Sequence, residues 1–229
     1  MLFRHYVLYL QFEKKQQIDS KQYNSMLKKM FIAMLVLLPM AAIAQNTWEM
    51  PEETPDGKVY NPDQKYLAGA VPVENDKVVF STTINAPGKS AAEIYDILLA
   101  QMTKMVKEKN QFEQSRIVVA EKDKGSICGY YQEWLVFKDK ALVLDRTRLM
   151  YNLMVNCQDG KAEVKMTRIY YLYDEERQPT TYKAEEWITD EYGLKKNGKK
   201  LSRISGKFRR KTIDRKDYIF NKFNSLLNK

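Results

Sequence analysis

An Asp-Gly dipeptide at residues 159–160 separates two long stretches in which apolar and polar residues alternate. Asp-Gly is a strong signal for a two-residue hairpin in which both turn residues take a positive φ. Such a turn pairs Gln158 with Lys161. It then sets apolar residues opposite one another almost throughout, in the pairs Val155–Val164, Leu153–Met166, Tyr151–Arg168 and Leu149–Tyr170. Because turn and pattern agree on one register, the sequence predicts an antiparallel hairpin of strands 141–157 and 161–173.

A capping box precedes a helical pattern in the first half of the chain. Ser90 can accept from the amide of Glu93, and Glu93 can reach back to the amide of Ser90. Apolar residues then recur three and four positions apart, at Ala91, Ile94, Tyr95, Leu98, Met102, Met105 and Val106. This spacing predicts one amphipathic helix from about residue 91 to 109.

The remaining apolar runs complete a mixed pattern. Period-two alternation predicts a strand at 77–84, and apolar runs predict strands at 116–120 and 127–137. Residues 181–188 are predicted to form a further strand or a short helical turn. A last helix is predicted from Thr212 to Leu227. The sequence therefore predicts an α+β fold: an antiparallel sheet of about five to six strands, with a long helix after the first strand and a C-terminal helix. A helix-grip-like arrangement is the alternative.

Residues 26–44 have the three-part form of a secretory signal: two lysines, an apolar run, and small residues at Ala42 and Ala44. The apolar run is too short to cross a membrane, which takes about 20 residues. We therefore expect cleavage after Ala44 and a periplasmic or extracellular location. Residues 1–25 precede a complete signal, so Met26 is the expected start and 1–25 an upstream mis-annotation.

Charge divides the rest of the chain into unequal parts. Residues 45–193 contain 19 Lys/Arg and 25 Asp/Glu, whereas residues 194–229 contain 13 and 2. Residues 45–76, rich in proline, are predicted to be an extended leader. Residues 77–229 are predicted to be a single α+β domain that carries a basic segment at 194–216.

Few residues suited to catalysis or metal binding remain after the predicted cleavage. The single histidine of the chain is His5, and Cys-x-x-Cys is absent. The pattern favours neither a histidine-dependent enzyme nor a zinc site, and we expect no cofactor. Pairing strand 127–137 with the next strand sets Cys128 opposite Met150 or Tyr151, about six residues from Cys157. That is near 20 Å and too far for a disulfide, so two buried free thiols are expected.

Three motifs resemble those of a known bacterial family of exported proteins, the domain of unknown function 4468. They are Tyr-Leu-Ala-Gly-Ala-Val-Pro-Val at 66–73, Lys-Val-Val-Phe at 77–80 and Ala-Pro-Gly-Lys-Ser-Ala-Ala-Glu-Ile-Tyr at 86–95. The resemblance spans about residues 66–175 and implies a TATA-binding-protein-like fold. Where the family is expected to have a tight Asp-Gly turn, this chain has Glu74-Asn75-Asp76. The resemblance implies no activity, and DNA binding is not carried over, since a fold does not fix a function.

Two groups of residues are candidates for binding. The basic segment could contact phosphate-rich polymers or lipid head groups through Lys207, Arg209, Arg210 and Lys211, although such runs are often simply solvated. Within the predicted sheet, an anion site or an aromatic groove could form from Arg146, Arg148, Arg168, Trp134 and Tyr151; the alternatives are cross-strand ion pairs and aromatic core packing.

These features favour an exported, non-enzymatic binding module of the cell envelope, with an envelope protein or a small ligand as its partner. We expect no nucleic-acid partner and no transmembrane segment. One alternative is an electrostatic adaptor that docks on anionic polymers through the basic segment. Another is an acid/base hydrolase that uses Glu185 or Glu186, although neighbouring residues of a strand point to opposite faces.

Overall fold

A computed structural model of the chain describes residues 63–140 and 143–229. The predicted upstream segment, the predicted signal and residues 45–62 of the predicted leader lie outside these ranges. The described residues form a seven-stranded antiparallel sheet in the order β1-β2-β6-β5-β4-β3, with β7 also paired to β6. The strands are β1 (Val73–Glu74), β2 (Lys77–Asn85), β3 (Arg116–Glu121), β4 (Ser126–Lys140), β5 (Val143–Gln158), β6 (Lys161–Tyr173) and β7 (Thr180–Lys183).

Within the described residues, three α-helices accompany the sheet: α1 (Ala91–Val106), α2 (Asp190–Gly193) and α3 (Gly206–Leu227). The predicted capping box of α1 is confirmed, since Ser90 accepts from the Glu93 amide and the Glu93 carboxylate accepts from the Ser90 amide. Helix α3 begins at Gly206, six residues before the predicted start at Thr212. Among the helices of the described ranges, none is long and apolar enough to cross a membrane.

The predicted hairpin of β5 and β6 forms, and its register is right near the turn. Gln158 pairs with Lys161, and Leu153 pairs with Met166. A β-bulge at Arg168, which has a φ of 52°, then shifts the register by one, so that Leu149 faces Tyr171. The predicted pairs Tyr151–Arg168 and Leu149–Tyr170 are therefore wrong. The bulge keeps both halves of β6 on the core, because its buried residues change from even to odd positions: Ala162, Val164, Met166, then Ile169 and Tyr171.

A positive φ at both turn residues was expected for the β5–β6 turn, but it occurs in the β1–β2 turn instead. In the β5–β6 turn only Gly160 has a positive φ, of 75°, and the carboxylate of Asp159 accepts from the amide of Ala91 at 2.7 Å. The β1–β2 turn instead has a positive φ at both Asn75 (48°) and Asp76 (59°). That is the geometry of a type I′ turn, so Asn-Asp here performs the role expected of Asp-Gly.

Both long helices pack on the same face of the sheet. The Tyr131 hydroxyl on β4 donates to the carbonyl of Met102 on α1 at 3.0 Å, and the Tyr171 hydroxyl on β6 hydrogen-bonds to Thr212 on α3 at 2.7 Å. The core between the layers also contains Leu98, Leu153, Phe208 and Phe223. The predicted α+β class is confirmed. The opposite sheet face carries polar and exposed residues, including Met154, Asn156 and Lys165.

Part of the predicted leader belongs to the folded domain. Tyr66 and Val71 are buried in the core, and the Tyr66 hydroxyl donates to Asp214 on α3 at 2.7 Å. Arg209 of α3 donates to the carbonyls of Tyr66 and Leu67 at 2.6 Å each. The expectation of an extended leader is therefore wrong for residues 63–71, which belong to the folded domain and contact α3 through Asp63, Tyr66 and Leu67.

The two cysteines are free, as predicted, but the reason differs from the long separation along the strand that was expected. Cys128 pairs with Met154, not with Met150 or Tyr151, so it is only three residues along β5 from Cys157. Cys157 is buried on the helix-covered face, whereas Cys128 is half-buried on the other. The sheet itself therefore lies between the two thiols.

Candidate functional site

Arginines and aromatic rings alternate at one end of the uncovered sheet face. The guanidinium of Arg146 (β5) lies 3.7 Å from the centre of the Trp134 ring (β4), and that of Arg148 (β5) lies 3.8 Å from the centre of the Phe112 ring. The Phe112 and Trp134 rings are 4.9 Å apart. Residues pointing to one face recur at every second position of neighbouring strands, which is why these side chains meet.

The loop between β6 and β7 contributes carboxylates to this end of the sheet. Glu175 accepts from Nε of Arg148 at 3.1 Å and also from its Nη2. Glu176 accepts from Nη2 of Arg146 at 2.8 Å. The first pair is about four-fifths buried, whereas the Glu176 side chain is 73% exposed. The Arg148 pair therefore fixes the loop, and the Arg146 pair is a surface contact of small energy, about 0–1 kcal/mol.

A cleft of about 490 Å³ opens between these groups. Trp134, Leu144 and Leu172 supply apolar lining, and Arg146 and Arg177 supply guanidinium donors. The acidic lining residues are Asp145, Asp174, Glu175 and Glu176. Tyr173 also lines the cleft, so it presents two aromatic rings, those of Trp134 and Tyr173, among hydrogen-bond donors and a larger number of acceptors.

One end of the cleft adjoins the start of α3. Asp145 accepts from Nζ of Lys207 at 2.6 Å and from the hydroxyl of Tyr173 at 3.0 Å. Lys207 also lies 4.6 Å from the centre of the Phe137 ring. Lys207, predicted either to contact anionic partners or to be solvated, instead connects the start of α3 to the sheet through Asp145.

Two predicted sheet residues lie elsewhere. Arg168 is the exposed bulge residue of β6, and it does not line the cleft. Tyr151 lies on the helix-covered face, fully buried, where its hydroxyl donates to Glu133 at 2.8 Å. The expectation that Tyr151 lines a surface groove is wrong because residues 146 and 151 of one strand point to opposite faces.

The residues of the predicted basic cluster on α3 also differ in their surroundings. Arg209 is fully buried and donates to the carbonyl of Ile188 at 2.7 Å and to Asp190 at 2.7 Å, in addition to its contacts with Tyr66 and Leu67. Burial lowers the pKa of Arg209, opposed by Asp190. Arg210 pairs with Asp63 and is 41% exposed, and Lys211 is half-buried. The expectation of a surface role is therefore wrong for Arg209.

A buried ion pair on the helix-covered face was not predicted. Nε of Arg215 donates to Glu133 at 2.8 Å, and Glu133 also accepts from Asn110 at 2.8 Å and Gln111 at 3.1 Å. Burial alone would lower the pKa of Arg215, but Glu133, Tyr151 and Glu108 raise it above its usual range. Burial and Glu133 also raise the pKa of Tyr151. Arg215 stays charged and Tyr151 stays a donor, so the cluster holds α3 on β4.

Phe112 was also missed, because it lies outside any predicted element. Its amide donates to the carbonyl of Gln132 at 2.8 Å, which places the chain before β3 alongside β4. The acid pair suggested for a hydrolase does not converge: Glu185 accepts from the amide of Val78 at 2.9 Å, whereas Glu186 is exposed beside Lys183. Within residues 63–140 and 143–229, no three His, Cys, Asp or Glu side chains form a metal-binding group.

Comparison with known proteins supports the resemblance. The model of a family described as a domain of unknown function (DUF4468) with a TBP-like fold matches residues 80–172. A crystallised DUF4468 family protein from Bacteroides ovatus is 42% identical, with a TM-score of 0.68, over 74% of this chain and 97% of that one. A TBP-like protein from Parabacteroides distasonis is 22% identical, with a TM-score of 0.54, over 69% and 96%. The likeness to this second protein is evidence for the fold alone. No functionally curated protein matches.

Proposed function

The chain belongs to the DUF4468 family, and we propose that it is a non-enzymatic binding module of the cell envelope whose cleft beside Trp134 holds a neutral, hydroxyl-rich ligand, a glycan. The observation that carries the proposal is the cleft itself, which extends from the uncovered sheet face at Trp134 and Arg146 to Asp145 beside the start of α3. Placement at the envelope rests on the sequence of residues 26–44, with its lysines, short apolar run and small residues before Gln45.

The lining of the cleft suits hydroxyl groups better than apolar surface. Carboxylate oxygens accept hydrogen bonds and guanidinium groups donate them, so a ring of hydroxyls finds both kinds of partner. A ligand site usually combines apolar lining with a few oriented polar groups, and Trp134, Leu144 and Leu172 supply the apolar part here. Because Arg146 lies over the Trp134 ring, a ligand would meet the edge of the ring together with the guanidinium donors.

The charge of the cleft argues against an anionic ligand. Four carboxylates line it, against the two guanidiniums of Arg146 and Arg177. An anionic group would meet like charge at Asp174 and Glu176, and like charges within a few ångströms disfavour binding. Of the three arginines predicted as an anion site, Arg146 and Arg148 already have carboxylate partners in Glu176 and Glu175, and Arg168 lies outside the cleft. A neutral ligand therefore fits the electrostatics best.

Binding of the full chain to an array of neutral and acidic oligosaccharides tests the proposal. Trp134→Ala should weaken binding of the best neutral oligosaccharide roughly 10-fold or more, the effect of losing an aromatic contact. Tyr192→Ala is the matched control, because it removes a ring that is 45% exposed on α2. Binding of no neutral oligosaccharide, or equal losses in both variants, would contradict the glycan assignment.

The hydrolase alternative has less support. Its two carboxylates should converge in one cleft, as the chemistry of glycoside cleavage requires. Glu185 is instead engaged by the Val78 amide, and Glu186 is exposed. The adaptor alternative loses Arg209 as a surface residue, but lysines of the same basic segment remain exposed at 195–200.

A further inference from the structure

A short hairpin of lysines precedes α3. Leu194 and Leu201 pair as an antiparallel bridge, and the amide of Lys195 donates to the carbonyl of Lys200 at 2.9 Å. Gly198 takes a φ of 66° in the turn, a conformation that glycine adopts without strain. The four lysines of the hairpin are all exposed: Lys195, Lys196, Lys199 and Lys200. Its position is thus fixed by leucines, while its charges stay in solvent.

A basic cavity follows the hairpin directly. It has a volume of about 440 Å³ and is lined by Arg203, Lys207, Arg210 and Lys211, with Phe137 and Leu201 as apolar lining. Lys207 and Arg210 have carboxylate partners in the domain and Lys211 is half-buried, so the most exposed cations at this end are Arg203 and the hairpin lysines. The fold therefore brings Arg203 together with cations from the first turns of α3 around one cavity.

An apolar side chain stands exposed beside these cations. Ile204 is 62% exposed, directly after Arg203 and three residues after Leu201. Lys199, Lys200 and Arg203 precede Ile204 closely in the sequence. An exposed large apolar residue beside cations fits a surface that lies on a membrane, where cations meet phosphate head groups and apolar residues enter the interface.

We propose that this basic surface, made of Lys195, Lys196, Lys199, Lys200, Arg203 and Ile204, docks the protein on a bilayer that contains anionic phospholipid. The lysines and Arg203 approach the phosphates, and Ile204 enters the interface. The inference does not depend on the cleft beside Trp134 or on the compartment, since its ligand is the lipid phosphate and its residues are separate.

The charge distribution of the chain supports this orientation. Residues 194–229 carry 13 basic and 2 acidic side chains, and residues 45–193 carry 19 and 25. An anionic surface therefore attracts residues 194–229 and repels residues 45–193, which orients the approach. Single-stranded nucleic acid is less suited as a partner, because its binding sites add exposed aromatic rings for stacking, and this surface offers an aliphatic residue instead.

Vesicle sedimentation of the full chain tests the proposal, with vesicles of about 30% phosphatidylglycerol in phosphatidylcholine against pure phosphatidylcholine. The test variant replaces all four hairpin lysines by glutamine. The control variant replaces Lys104, Lys107, Lys109 and Lys165, four exposed lysines of α1, the segment after it, and β6, so its net charge is the same. All three proteins share residues 1–62, so vesicle binding through that part is common to them.

The hairpin variant should lose roughly 100-fold or more of its partition to the anionic vesicles, since each lysine near such a surface contributes substantially. The control variant should lose less than about 3-fold, because the charge that it removes lies elsewhere. Ile204→Asn should lower the partition by about 10-fold without changing its dependence on salt, because only apolar burial is lost.

Three outcomes would overturn the inference. They are equal losses in the hairpin and control variants, equal binding of wild type to both kinds of vesicle, and displacement by inorganic phosphate beyond that by chloride at matched ionic strength. The last would assign the cavity to free phosphate and not to a membrane. Both quadruple variants should unfold close to the wild-type temperature, since the lysines that they replace are exposed and surface charges contribute little to stability.

Discussion

Nε of Arg215 lies 2.8 Å from Oε1 of Glu133, and neither side chain is more than 1% exposed. The pair joins the middle of α3 to β4 across the core. A buried ion pair is weak evidence for net stability, but removal of one partner leaves an uncompensated charge away from water. The contact therefore makes the placement of α3 specific, whatever its net energy.

Glu133→Ala should lower the free energy of unfolding by about 3–5 kcal/mol, because Arg215 would keep its charge in the core with fewer partners. Urea denaturation measures the change. The double variant Glu133→Leu with Arg215→Leu is the informative comparison, since it removes both charges and should be more stable than either single variant. Additive losses in the double variant would contradict a coupled pair.

Arg209→Ala should cost about 3 kcal/mol or more, because the carbonyls of Tyr66, Leu67 and Ile188 and the carboxylate of Asp190 lose a buried donor. Arg203→Ala is the matched control: the same truncation at an exposed arginine should leave the unfolding midpoint unchanged. Proteolysis of the native protein should also become faster within residues 63–72 in the Arg209 variant alone. Wild-type stability of Arg209→Ala would refute the structural role.

Burial raises the pKa of the Cys157 thiol from the ordinary 9.0 to about 11. Because the folded-state value is raised, the contribution to stability is fully present below pH 9. It is lost as the pH rises from 9 to 11, where the unfolded chain releases its proton first. Wild type should therefore lose more stability than Cys157→Ala over this range, as measured by urea denaturation at each pH. Parallel curves for the two proteins would contradict the assignment.

Ser90→Ala should destabilise the domain by about 1 kcal/mol, because the amide of Glu93 loses its cap at the first turn of α1. The Ser90 backbone amide, the first cause of the lowered pKa of Glu93, remains in this variant, but the hydrogen bond from the Ser90 hydroxyl is lost, so the pKa of that carboxyl should rise part of the way, as NMR titration can measure. Ser225→Ala, at an exposed position of α3, serves as control and should be neutral or slightly stabilising, since alanine is the better helix former. Equal effects at both serines would argue against a specific cap.

Local chemistry made α1 and the β5–β6 hairpin predictable, because a cap and a turn act over a few residues. The register beyond Arg168 was readable in principle, since Met166 and Ile169 are three apart and break the period of two. The burial of Arg209 was not readable: its acceptors include Tyr66, 143 positions away in the chain. A run of basic residues looks the same whether its members meet solvent or distant carbonyls.

The sequence predicted the strand residues of the candidate site but not those that come from loops. Trp134, Arg146 and Arg148 share a face by strand parity, which the alternation in the sequence indicates. The carboxylates of Glu175 and Glu176 come from a loop, and Phe112 comes from an irregular segment. No periodicity governs such segments, so only the folded chain brings them to the sheet.

The attachment of residues 63–72 to α3 also decides how the domain would bear a mechanical load. A pull on the chain at Asp63 would first reach its ion pair with Arg210, and then the carbonyls of Tyr66 and Leu67 that Arg209 holds. Force would pass into the 22-residue helix before it reached the two-residue edge strand β1. The sheet would therefore be shielded from tension applied at that end, and β1 would not peel away until the arginine contacts had broken.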